Sequence, residues 1–112
     1  PQATNHTWYP YSFLAPIPQN EPWFSSALKL VKSLTDDIQL AGISADNIYI
    51  GGFSQGACLT LEFSTRYAQR WGGVFALTGG LIGDNVYPDH YQGNFAGTKV
   101  LITNSQNDPH VP

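Results

Sequence analysis

Short apolar runs alternate with helical patterns along this 112-residue chain, and this order constrains the fold more than any other feature. Each run is rich in β-branched or aromatic residues, which favour strands. The runs are Ile48–Ile50, Val74–Leu77 and Lys99–Thr103. Apolar strands separated by helices predict a parallel sheet with helices on both faces. The sequence therefore predicts an α/β fold, and residues 1–112 fit a single domain.

The first helical pattern is amphipathic. Asn20 is expected to cap the helix, with Glu21 and Pro22 near its first turn, and Gly42 is expected to end it. Apolar residues recur between them at steps of three and four: Phe24, Ala27, Leu28, Val31, Leu34, Ile38 and Ala41. This spacing predicts one apolar face. A second helix is expected from Gln55 to Arg70.

The first strand leads directly into Gly52-Phe53-Ser54-Gln55-Gly56, which matches G-x-S-x-G. In a strand–turn–helix context this pattern places a serine on a sharp turn, with its hydroxyl projecting above the sheet. The positions two residues before and after Ser54 require small residues, because a larger side chain there would collide with the neighbouring strand or helix. Gly52 and Gly56 meet this requirement. The motif favours Ser54 as a nucleophile. The alternative is an ordinary glycine-rich turn.

A nucleophilic serine requires an oxyanion site, a base and a carboxylate that orients the base. The backbone N–H of Gln55 begins the helix and is a predicted oxyanion donor. Asp108 follows the third strand and is the predicted acid, although Asp-Pro is also a common turn. Asp84 and Asp89 are rivals in a loop.

No histidine of this chain fits the role of base. His110 is only two residues from Asp108, which is too close to bridge between that carboxylate and Ser54, and His6 and His90 lie in loops. In the chain order Ser, Asp, His the base follows the acid. The base is therefore expected from outside this chain, and the chain is expected to be the central part of a longer enzyme.

Three motifs in order resemble the phospholipase/carboxylesterase family of α/β-hydrolases, which includes acyl-protein thioesterases. They are Gly52–Gly56, Leu77–Gly83 and Asp108–Pro112. The resemblance implies a three-layer α/β-hydrolase-type sheet, of which residues 1–112 form part. It assigns Ser54 as nucleophile, Asp108 as triad acid and the Gln55 amide as one oxyanion donor. It also nominates pocket residues: Trp8, Leu81 and His110.

Composition excludes several other classes of function. A net charge of −3 with five Lys and Arg residues leaves no basic surface for nucleic acid. No apolar run approaches the roughly 20 residues of a membrane span. The lone Cys58 excludes a disulfide framework and favours a reducing, cytoplasmic location. No cofactor or metal is implied; Asp84, Asp89 and His90 fit no metal-binding spacing.

The predicted function is serine esterase chemistry on carboxylic esters, with thioesters or lysophospholipids as further substrates, through an acyl-enzyme. A peptidase or lipase would share the triad and differ in its pocket. A second hypothesis, from a different class of function, is that the chain is a catalytically incomplete fragment. Such a fragment would act by association with missing segments or with another copy of itself, because sheet edges and apolar faces would be uncovered.

Overall fold

The computed structural model describes residues 1–111, and its centre is a parallel sheet of three strands in the order β1-β3-β5. Two short strands, β2 and β4, form a separate parallel pair. The strands are β1 (Tyr49–Phe53), β2 (Tyr67–Ala68), β3 (Gly73–Leu77), β4 (Gln92–Gly93) and β5 (Val100–Thr103). The helices are α1 (Trp23–Leu40) and α2 (Gln55–Arg66). The predicted order of helices and strands is confirmed, and so is the α/β class.

The strands of the main sheet are in register at their carboxyl ends. Phe53 pairs with Leu77, and Leu77 pairs with Thr103. The next residue in each strand continues the ladder: the Ser54 N–H donates to the Leu77 carbonyl at 2.9 Å, and the Thr78 N–H donates to the Thr103 carbonyl at 2.6 Å. The residues that follow the three strands therefore meet at one edge, where parallel sheets bind their ligands.

Helix α1 begins close to the predicted position, but Asn20 does not cap it. The residue that precedes α1 is Pro22, and no side chain caps that end. The Asn20 side chain is fully buried and instead bonds the backbone of Tyr11 and Ser12. This carboxamide thus holds the N-terminal loop.

Helix α2 ends at Arg66, four residues before the predicted end. The chain then forms β2, in which Tyr67 and Ala68 pair with Gln92 and Gly93. Strand pairing with residues 25 positions further along the sequence is therefore found where the last turn of the helix was predicted. Neither helix of residues 1–111 is long and apolar enough to cross a membrane.

The core lies between α1, α2 and one face of the sheet. Phe24, Phe63 and Val74 belong to the main cluster and are almost completely buried. The opposite face of the sheet is open within residues 1–111, where Phe53 is 70% exposed and Leu101 is 56% exposed. Within residues 1–111, β3 is therefore buried on one face only. Its outward residues, Phe75 and Leu77, are exposed, and the alternation follows the period of two in a strand.

Candidate active site

Ser54 lies at the junction of β1 and α2 in a backbone conformation that few residues other than glycine adopt. Its φ is 54° and its ψ is −118°, so φ is positive but the residue is outside the usual left-handed region. Strain of this kind persists only where the surrounding structure enforces it, and it is concentrated at functional sites. The Ser54 carbonyl accepts the Cys58 N–H at 3.1 Å, which ties the turn to the first turn of α2.

The two glycines of the motif have different roles. A Cβ on Gly52 would lie 2.3 Å from the Gly56 carbonyl oxygen, so only glycine allows α2 to start so close to β1. A Cβ on Gly56 would meet no described atom within 4 Å. The expected collision is thus confirmed at Gly52 and was wrong at Gly56 for the part of the chain described.

Ser54 opens into a cavity of about 450 Å³. One wall comes from the N-terminal loop, the floor from the start of α2 and the far side from the loop after β5. The lining residues are Tyr9, Tyr11, Ser12, Phe13, Ser54, Gln55, Cys58, His110 and Val111. The cavity therefore brings the predicted nucleophile together with the predicted pocket residue His110 and with Gln55, whose amide is the predicted oxyanion donor.

Asp108 is not among the residues that line the cavity, although its neighbours His110 and Val111 are, and its carboxylate is held by its own loop. One carboxylate oxygen, Oδ1, accepts the N–H of His110 at 2.8 Å and the N–H of Val111 at 3.1 Å. These two bonds lower the pKa of Asp108, because they stabilise its charged form. The other oxygen, Oδ2, has no hydrogen-bond partner within residues 1–111 and is free to accept a donor from another group.

The histidines are distributed as the sequence suggests. His6 pairs with Gln2, and His90 lies 3.3 Å from the Arg66 guanidinium. His110 lines the cavity. Among the described residues, none of the three forms a hydrogen bond with the Ser54 hydroxyl.

Two predicted pocket residues lie outside the cavity of Ser54. Leu81 packs against the small cluster formed by Ala57, Leu61 and Ala76 and lines a different cavity. Trp8 lines cavities beside α1. Both nominations came from the resemblance, and within residues 1–111 neither residue lines the cavity of Ser54.

The structure adds one residue, Tyr9, and a second role for Gln55 that the motif pattern does not reveal. Tyr9, which is 2% exposed, forms part of the cavity wall, and burial raises the pKa of its hydroxyl. The Gln55 side chain bonds the backbone of Trp8 and Tyr9. In the sequence, Gln55 is separated from Trp8 by 47 positions and from Tyr9 by 46, and both partners lie in an irregular segment. No local sequence pattern could therefore have identified these contacts.

Comparisons with known proteins give one consistent family. A profile of the phospholipase/carboxylesterase family matches residues 2–112. A crystal structure of a phospholipase/carboxylesterase from Dyadobacter fermentans superposes on 100% of this chain and 54% of its own, with a TM-score of 0.98 and 54% identity.

Curated relatives include acyl-protein thioesterases. Acyl-protein thioesterase 1 of Schizosaccharomyces pombe is 30% identical over 106 residues, which is 94% of this chain and 47% of that protein. Acyl-protein thioesterase 1 of Kluyveromyces lactis is 46% identical over 54 residues, or 48% of this chain and 24% of that protein. The chain spans less than half the length of these relatives. Since the family profile covers nearly every residue, the chain belongs to the phospholipase/carboxylesterase family and has part of an α/β-hydrolase fold.

Proposed function

We propose that this chain carries the nucleophile and the acid of a serine hydrolase that cleaves carboxylic esters or thioesters through an acyl-enzyme intermediate. The observation that carries the proposal is the backbone of Ser54, strained at φ 54° between β1 and α2, with its side chain at a cavity of about 450 Å³. A structural glycine turn would not require a serine in this conformation, because glycine adopts positive φ without strain.

Each residue has a defined step. The Ser54 hydroxyl gives its proton to the base as Oγ bonds the substrate carbonyl carbon, and the carbonyl oxygen becomes an oxyanion. The Gln55 N–H is the first amide of α2 and has no partner within that helix, so it can donate to the oxyanion. The carbon–oxygen or carbon–sulfur bond then breaks, and the leaving group takes the proton from the base. Water then attacks the acyl carbon and gives a proton to the base. The bond between this carbon and Ser54 Oγ breaks, Oγ takes the proton back from the base, and the carboxylic acid leaves.

Asp108 orients the base in this proposal. Its Oδ1 is used by the two backbone N–H groups of its own loop, which fixes the carboxylate and leaves Oδ2 for an imidazole N–H. We assign the base to a histidine beyond the described residues, as the order Ser, Asp, His requires. The second oxyanion donor is assigned to a loop after an earlier strand, also beyond them.

The substrate class follows from the family. The names of the relatives indicate thioesters of acylated proteins and carboxylic or phospholipid esters. The cavity beside Ser54 is lined in part by aromatic rings and hydroxyl groups, which can contact an acyl group. A cytoplasmic location remains a prediction from the single cysteine.

The test is hydrolysis of p-nitrophenyl esters by the full-length protein and by its Ser54→Ala variant. We expect turnover in the parent protein, an initial burst of nitrophenol from acyl-enzyme formation, and loss of both in the variant. Equal turnover in the variant would contradict the proposal. A comparison of acetyl, butyryl and octanoyl esters with a peptide substrate would separate an esterase from a lipase or a peptidase.

The open sheet face favours a second candidate function. Tyr49 and Phe53 are 69% and 70% exposed on this face, and monomeric proteins rarely expose so continuous an apolar surface. In this candidate, the chain acts only after further segments or another copy cover the sheet. Fluorophosphonate labelling of the full-length protein but not of residues 1–112 alone would support it.

A further inference from the structure

The wall of the Ser54 cavity is an irregular segment that depends on side chains to hold it in place. This rim segment, Trp8–Phe13, contains no helix or strand, yet its residues Tyr9, Tyr11, Ser12 and Phe13 all line the cavity. Without the ladder of a sheet or helix, its position is set by the bonds that it makes to the rest of the molecule.

Two carboxamides hold the two ends of the rim segment. At the far end, buried Asn20 accepts the Tyr11 N–H at 2.8 Å and donates to the Ser12 carbonyl at 3.0 Å. At the near end, Gln55 Oε1 accepts the Trp8 N–H at 2.8 Å and Gln55 Nε2 donates to the Tyr9 carbonyl at 2.8 Å. Each amide therefore pairs with one N–H and one carbonyl of neighbouring residues, as a strand would.

Gln55 differs from Asn20 because it follows the nucleophile directly in the chain. Its backbone N–H is the proposed oxyanion donor, and its side chain holds the wall against which a substrate would lie. The Tyr9 ring also packs against Phe24 at 6.4 Å, so the near end is anchored to the core as well.

We propose that the Gln55 side chain is a positioning residue that sets the distance between the rim segment and Ser54, and thereby sets the affinity for substrate. This inference rests on the proposed function. Because the far end stays bonded to Asn20 and the Tyr9 ring stays packed against Phe24, removal of the Gln55 carboxamide loosens only the backbone of Trp8 and Tyr9 beside Ser54. The backbone amide of residue 55, the hydroxyl of Ser54 and Asp108 would remain in place.

The test compares Gln55→Ala and Gln55→Glu with the control Gln19→Ala in the full-length protein. Glutamate keeps an acceptor for the Trp8 N–H but replaces the donor to the Tyr9 carbonyl with a second, charged oxygen, so it keeps one of the two bonds and removes the other. Gln19 is exposed, and within residues 1–111 its side chain makes no hydrogen bond. Loss of one well-formed hydrogen bond that positions the cavity wall corresponds to a change of about tenfold in KM.

We therefore expect KM for p-nitrophenyl butyrate to rise by about tenfold or more in both Gln55 variants, since Gln55→Glu loses one bond and Gln55→Ala loses two, with a much smaller change in kcat and no change in Gln19→Ala. An unchanged KM, or a fall in kcat alone, would overturn the inference. Failure of both variants to fold would also overturn it, because Gln55 would then be a general structural residue.

Hydrogen exchange separates this inference from the proposed function. In Gln55→Ala, the Trp8 N–H should exchange faster, while the Tyr11 N–H, which stays bonded to Asn20, and the amides of α2 should keep their protection. Faster exchange in a protein that hydrolyses no ester would mean that the proposed function fails but the rim contact stands. Unchanged exchange in an active protein would refute the role of Gln55 alone.

Discussion

Replacing Ser54 by glycine should make the protein more stable than replacing it by alanine. The native φ of 54° and ψ of −118° cost a residue with a Cβ about 1–3 kcal/mol. Glycine removes this strain but loses about 0.5–1 kcal/mol of chain entropy relative to alanine. The net advantage of glycine is about 1 kcal/mol, which corresponds to about 2–4 °C in the unfolding temperature of a domain of about 200 residues.

Thermal unfolding, followed by circular dichroism, measures this difference directly. Both variants lack the hydroxyl, so neither the nucleophile nor its hydrogen bonds can account for a difference between them. The matched control is Ser33, which is exposed in the middle of α1. There the order should reverse, with glycine less stable than alanine by about 1 kcal/mol. If Ser54→Ala is as stable as Ser54→Gly, the turn is not strained, and the reasoning that identifies Ser54 from its backbone fails.

Three further perturbations test other parts of the site. Gly52→Ala should destabilise the protein and abolish esterase activity, because its Cβ would lie 2.3 Å from the Gly56 carbonyl oxygen. Gly56→Ala should be tolerated in residues 1–112 and serves as the control. Equal unfolding temperatures for the two variants would contradict this. Asp108 has a lowered pKa, so its stabilising contribution is complete above the ordinary aspartate pKa and is lost as pH falls through the lower folded value. The unfolding temperatures of the parent and Asp108→Asn should therefore converge below about pH 4, and a gap that widens there would be the wrong sign. Glu62 is fully buried, pairs with Arg66 at 2.6 Å and accepts the Ile82 N–H and the Tyr91 hydroxyl, so Glu62→Ala should cost about 3 kcal/mol in chemical denaturation; a cost near zero would show that these contacts are dispensable.

The turn at Ser54 between β1 and α2 could be predicted from sequence because all of its determinants are local. A β-prone run, a glycine pair, Ser54 and a helical pattern follow one another within about a dozen residues, and the structure has β1, the turn and α2 in that order. The parallel sheet was predictable for the same reason, since apolar runs alternate with helices.

The wall of the cavity could not be predicted, because it depends on contacts between distant segments. Gln55 reaches the rim segment across 46 residues, and Asn20, which resembles a helix cap in sequence, bonds that segment instead. Leu81 was placed in the pocket by resemblance, yet it packs against Ala57 and Leu61. Long-range pairing also ended α2 at Arg66, where β2 meets β4.

The most direct test of the central claim is to identify the residue that a fluorophosphonate modifies. After reaction with the full-length protein, digestion and mass spectrometry should find one adduct per molecule, on the Ser54 hydroxyl. The Ser54→Ala variant should remain unmodified, and Asp108→Asn should react more slowly. An adduct on a different residue, or equal modification of Ser54→Ala, would contradict the assignment of Ser54 as the nucleophile.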